Sequence, residues 1–194
     1  MRKIILASSS RQRKNILSAL NIPFDVVAAD IDEKTIRDPD PEKQAEKIAR
    51  AKAEKIAAGK PDAIVIAGDT FSVLDSHILE KPGNAAEAKA MLRLLSGKTA
   101  VNYNGFCYID RSRDIDYSTT AVVKFAFRVM DEMEIENYVA KLPVTEWAAA
   151  FSPAYPYPMT VIARVEGSLT GFTHGLPMEL VVEYLKKSEV AIKP

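Results

Sequence analysis

The stretch Lys3-Ile4-Ile5-Leu6-Ala7-Ser8-Ser9-Ser10-Arg11-Gln12-Arg13-Lys14-Asn15-Ile16-Leu17-Ser18-Ala19-Leu20 decides the fold. Ile4 to Ala7 is a short continuous apolar run, the pattern of a strand buried on both faces. Three serines follow, and from Arg11 onward Ile16, Leu17 and Leu20 recur at helical spacing. A strand that passes through serines into a helix aims free first-turn N–H groups and hydroxyls at one point, where the helix dipole also favours negative charge. Arg11, Arg13 and Lys14 add mobile positive charge beside it. The same residues also describe an ordinary strand-to-helix turn with serine caps, so the rest of the chain has to decide between the two.

Working outward, Pro23 to Asp30 reads as a second strand running into the acidic cluster Asp30-Ile31-Asp32-Glu33. Asp40 as N-cap and Pro41 at the first helical position open a helix that runs to about Ala58 and stops at Gly59. Its apolar face carries Ala45, Ile48, Ala49, Ala53 and Ile56, and Lys52 lies on that face. Such a lysine either snorkels outward or points its ammonium into a polar cleft. Ala63 to Ala67 is the most apolar strand, hence central, and it ends on Gly68-Asp69-Thr70. Open α/β sheets put their chemistry just past the C-terminal ends of such strands. A hairpin with Asp75-Ser76 at its turn and an exposed His77 then delivers Glu80-Lys81-Pro82-Gly83.

Asn84 with Glu87 starts a further helix, striped by Ala88, Met91, Leu92 and Leu95 and ended by Gly97. Ala100 to Ile109 alternates loosely, and its Asn104-Gly105 pair reads as a bulge. Ile115 to Val129 keeps strict period two, so the two segments form an antiparallel ribbon and the sheet is mixed. Asp131 and Glu134 cap a helix closed by Pro143. Trp147 to Pro158 is dense in proline and aromatics and reads either as an ordered loop near a cleft or as a partner-binding surface. Thr160 to Val165 is a last strand, Gly167 to Gly175 a loop containing His174, and Pro177 to Lys187 a closing amphipathic helix.

The chain has 194 residues, enough for a sizeable core. Twenty-six basic and 26 acidic side chains leave no net charge, so nothing suggests a surface that coats nucleic acid. No apolar run is long enough to span a membrane and the first residues lack the build of a signal peptide; a cytoplasmic protein is expected. The single Cys107 excludes an internal disulfide and, in its strand-like run, reads as buried filling. Two histidines are too few for a His-based zinc site, which leaves a hard cation on carboxylates open. One strand-loop-helix anion site, two acidic strand ends and two lysines describe a site for a polyphosphate with a divalent cation. No Walker loop or dinucleotide fingerprint is present.

Leu-Ala-Ser-Ser-Ser-x-x-Arg at 6–13, Asp32-Glu33, Ala51-Lys52-Ala53, Gly-Asp-Thr at 68–70, Leu-Glu-Lys-Pro at 79–82, Met-Leu-Arg-Leu-Leu-Ser-Gly at 91–97, Ile-Glu-Asn-Tyr-Val at 135–139 and Gly-Leu-Pro at 175–177 follow in order. With this order and spacing the chain resembles the Maf-like nucleoside triphosphate pyrophosphatases from end to end. The resemblance implies one domain over 1–194 of the inosine triphosphatase-like α/β class: an elongated mixed, twisted sheet flanked by helices, with a cleft between two lobes. It implies hydrolysis of a nucleoside triphosphate between the α and β phosphates, with Mg²⁺, Mn²⁺ or Co²⁺ as cofactor. Asp69, Lys52 and Lys81 form the implied catalytic set, Asp69 as proton acceptor; Glu33 and Asp69 are the implied metal residues. Ser8, Ser10, Arg13 and the two lysines match positions that hold the triphosphate.

Gln12, Thr70 and Ala154 match the positions associated with base choice. Only Thr70 agrees with the thymidine/uridine branch; Gln12 and Ala154 match neither that branch nor the 7-methylguanosine one, and the family's usual proline after the serines is replaced by Arg11. A turnover-deficient nucleotide-binding regulator of septum formation is the alternative that the family also suggests. The family often forms dimers, so a homodimer is an expectation as well, with the Pro-aromatic segment as one surface for it.

Overall fold

The computed structural model describes residues 2–192. β1 (Ile4–Ala7) runs into α1 (Arg11–Ser18), and β2 (Asp25–Val26) returns parallel to β1. After α2 (Pro41–Ala58), β3 (Ile64–Leu74) enters on the other side of β1, again parallel. A turn with left-handed Asp75 and Ser76 leads to β4 (His77–Ile78), then α3 (Ala85–Leu95), β5 (Thr99–Asp110) and β6 (Ile115–Phe127). α4 (Glu132–Lys141), α5 (Pro156–Met159), β7 (Ile162–Glu166), α6 (Leu169–His174) and α7 (Met178–Lys187) complete the order. Among the described residues the strands make one seven-stranded mixed sheet, β2-β1-β3-β5-β6-β7, with β4 on β3. No helix among these residues is long and apolar enough to cross a membrane.

Strand alternation separates the core into layers. Ile4, Leu6, Ile64, Ile66, Phe106 and Tyr108 meet α1 and α7 on one face through Leu17, Val181, Tyr184 and Leu185. Ile5, Ala7, Val65, Ala67, Cys107 and Ile109 meet Ala49, Ala53 and Ala57 of α2 on the other. A third core lies further along β5 and β6, where Phe125, Phe127, Leu92, Leu95, Tyr138 and Phe151 pack together. β3, β5 and β6 run through both halves as a spine, and the two lobes are the packings at its ends.

Several elements depart from the sequence reading. The strand expected over Pro23 to Asp30 contracts to Asp25–Val26, which pairs with Ile5 and Leu6 of the short β1 and with no other strand among the described residues. β3 does not stop at Ala67. β1 stops pairing there, but β5 continues to pair with β3 as far as Val73, so Asp69 lies inside a strand. It sits level with the C-terminal end of β1, where the parallel part of the sheet opens. Asn104-Gly105 is no bulge, since the register runs unbroken on both sides. Gly105 instead lets α2 approach the sheet: a Cβ there would lie 2.0 Å from the Ala45 carbonyl oxygen. The stretch 167–175 is not all loop, as Ser168 caps α6 by accepting from the Gly171 N–H.

Candidate active site

Period two deals the residues after Ala67 to opposite faces of β3. Asp69 continues the Val65–Ala67 row and faces α2; Thr70 continues the Ile64–Ile66 row and faces α1. On the α2 side the Lys52 ammonium donates to Asp69 Oδ1 at 2.8 Å and lies 2.9 Å from Glu33 Oε1. Lys52 and Asp69 are both nearly buried, at 8% exposure each, whereas Glu33 is exposed on a short helical turn capped by Asp32. The snorkelling alternative for Lys52 is thus excluded. Its ammonium points inward, between two carboxylates.

On the α1 side, Arg13 is not mobile. Its Nε donates to the Gly175 carbonyl at 2.8 Å, Nη1 to Ser8 Oγ at 3.0 Å and Nη2 to Thr70 Oγ1 at 2.9 Å. Thr70 in turn donates to Asn104 Oδ1 at 3.1 Å. Burial pulls the Arg13 guanidinium below its ordinary value, against the opposing pull of Asp69 and Glu33. Ser10 is the N-cap of α1 and accepts from the Arg13 N–H, while Ser8 Oγ accepts from the Ser10 N–H. The serines therefore fix the turn that presents the helix N-terminus.

Between these clusters lies a cavity of about 710 Å³, within the range that receives a drug-sized ligand. Ser8, Ser10, Gln12, Arg13, Glu33, Lys52, Asp69, Thr70 and Lys81 all line it. Ala154 does not, although its neighbours Pro153 and Tyr155 do. Among the described residues no three His, Cys, Asp or Glu side chains form a cage for a metal ion.

The far wall comes from 146–155, anchored by Phe151 against Phe125 and Phe127 at 6.0 and 5.2 Å between ring centroids. Ala149 and Ala150 are both left-handed, at φ 60° and 53°, and the Ala149 N–H donates to the Glu80 carbonyl beside Lys81. Left-handed backbone costs an alanine about 1–2 kcal/mol, so this turn is held by the packing around it. The segment is an ordered cleft wall, the first of the two readings its composition allowed.

The sequence reading had no role for Asn104, Ser72, Asn102 or the α6 end, which holds His174. Two asparagines in one row of a buried strand, Asn102 and Asn104, were the available signal, since apolar residues belong there. His174 lines the cleft, and burial pulls its imidazole below the ordinary value.

Fold and cleft define a class: α/β proteins in which a mixed sheet carries a charged cleft between two lobes. The Staphylococcus aureus Ham1 protein shares this fold, with a TM-score of 0.53 at 14% identity over 96% of this chain and all of that one. The model of the family described as "Maf-like protein" matches residues 3–188, and the chain belongs to that family. It is 36% identical over 186 residues to the dTTP/UTP pyrophosphatase of Syntrophus aciditrophicus, covering 95% of this chain and 89% of that protein. With the dTTP/UTP pyrophosphatase of Moorella thermoacetica it shares 35% over 185 residues, 95% and 94% of the two chains.

Proposed function

We propose that the protein is a nucleoside triphosphate pyrophosphatase, a hydrolase that cleaves the α–β anhydride to give a monophosphate and pyrophosphate. The observation that carries the reading is the buried Lys52 held between Asp69 and Glu33, across a cleft from the Ser10-capped N-terminus of α1. The names of the relatives from Syntrophus and Moorella support the same chemistry. In this reading the α1 N–H groups, Ser8, Ser10 and Arg13 bind phosphate oxygens, with Lys81 as a further cation from the opposite rim. Lys52 neutralises charge on the phosphates and keeps Asp69 oriented. Asp69 takes the proton of the attacking water through the oxygen that Lys52 does not occupy.

A divalent cation fits the donor set. Mg²⁺ is commonly held by one or two carboxylates with substrate phosphates completing the shell, and Glu33 and Asp69 are the two that flank Lys52 in the cleft. When bound, such an ion neutralises charge developing on the phosphoryl oxygens. Pyrophosphate release from a panel of nucleoside triphosphates with Mg²⁺, Mn²⁺ or Co²⁺ tests the proposal. Release is expected with at least one pair. A folded protein that releases none from any nucleotide removes the reading.

A further inference from the structure

The cleft has one wall for charge and another for something flat. Trp147 and Tyr155 stack with centroids 4.9 Å apart and planes inclined by 28°, and both line the cavity opposite the α1 N-terminus. Trp147 is 8% exposed and acts as a backing plate; Tyr155, at 40%, keeps much of its ring open. Their neighbours Ala148, Phe151 and Pro153 line the cavity with apolar groups, beside the polar Glu146 and Ser152. The Phe151 anchor in the core and the two left-handed alanines hold this stack in place. A large tyrosine left open at a cleft wall, with its other face fixed, is an arrangement suited to stacking a planar π-system.

We infer that Tyr155, backed by Trp147, is the platform for the nucleobase, and that it reads the base by its face. Every base has a π-face, so stacking discriminates weakly, whereas hydrogen bonds to a base edge discriminate strongly. The stack therefore strengthens purine and pyrimidine triphosphates alike, and choice among bases is left to polar cleft residues such as Gln12, Thr70, Ser72 and Asn102. This rests on the pyrophosphatase reading for the identity of the ligand but not on turnover.

Trp147 is the chain's one tryptophan, so its emission reports events at the stack. Equilibrium binding of UTP, dTTP, ATP and GTP, followed by calorimetry and by Trp147 emission, is compared with inorganic tripolyphosphate, which has no base. The nucleotides are expected to change the emission on binding, while tripolyphosphate leaves it unaltered. Tyr155→Ala should weaken every nucleotide roughly five- to a hundredfold and leave tripolyphosphate binding as it was. Tyr155→Phe, which keeps the ring, should stay within about twofold of wild type and guards against a folding artefact. An unchanged nucleotide affinity in Tyr155→Ala overturns the platform, as does an equal loss for tripolyphosphate. A loss in Tyr155→Ala confined to purines or to pyrimidines overturns reading by the face. Base-dependent binding without pyrophosphate release leaves the platform standing and fails the hydrolase; release with a KM indifferent to Tyr155 does the reverse.

Discussion

At the scale of single residues, the pair Lys52–Asp69 does most to separate chemistry from stability. Asp69→Asn keeps the hydrogen bond to Lys52 through its amide oxygen but cannot take a proton. It should fold and bind nucleotide while losing ~10²–10⁴-fold in kcat; steady-state kinetics beside a binding isotherm checks this, and near-wild-type kcat would remove Asp69 from the mechanism. Lys52→Met is more than a loss of contact with substrate. It strands the Asp69 carboxylate in a site where both side chains are about one-tenth exposed, at a cost of about 3 kcal/mol. It should also lower kcat/KM roughly tenfold to a hundredfold. The double variant Lys52→Met/Asp69→Asn leaves neither charge of the pair stranded, so its melting temperature should recover towards wild type while activity stays lost. If stability does not recover, the pair is not coupled as drawn.

At the scale of elements, what was legible in the sequence was what is encoded locally. α2 begins and ends where Asp40-Pro41 and Gly59 say it should, and Asp131 with Glu134 forms the expected reciprocal cap on α4. The Lys3–Leu20 stretch folds as a strand, a serine turn and a helix, and Ser8, Ser10, Gln12 and Arg13 line the cleft from it. Features settled by a distant partner were not legible. β3 outlives its apolar run because β5 pairs with it through Asp69 and Thr70; no neighbour in sequence announces that. Gly105 looked like a bulge because glycine in a strand has two common reasons, and only the position of α2 selects close approach. The aromatic wall was readable as a place near a cleft, yet the face-to-face contact of Trp147 and Tyr155 needed the left-handed turn between them. Gly105→Ala tests the close approach directly. Its new methyl meets the backbone of Ala45 rather than a side chain that could turn away, so a loss of about 3 kcal/mol or more is expected in denaturant melts. A loss below about 0.5 kcal/mol would mean that α2 is not seated on β5.

At the scale of the whole molecule, two groups remote from the cleft report on integrity. Asp110, 1% exposed, accepts from Ser188 Oγ at 2.6 Å and also from Ser112 and Arg2. Burial raises its pKa, but the Ser188, Ser112 and Arg2 bonds outweigh that and hold the carboxyl below its usual value. A depressed carboxyl stabilises the fold above the unfolded pKa near 4, and the gain is lost as pH falls through the folded value. The melting temperature of the wild type should therefore fall more steeply below about pH 4 than that of Asp110→Asn; parallel curves would deny Asp110 this role. Cys107 is fully buried and its thiol is pushed up to about 12, chiefly by burial, with Arg50 pulling the other way. At pH 8 it should ignore a thiol reagent in the native protein and react at the rate of opening in mild denaturant; prompt native labelling would contradict that burial. The bare contact between α2 and Gly105 also fixes one jaw of the cleft. With no side-chain layer as a bearing, the helix cannot slide without driving the Ala45 oxygen into β5, so helix and sheet act as a fixed anvil. Lys52 is seven residues further along that helix, about 10 Å from the seat, and inherits its stiffness.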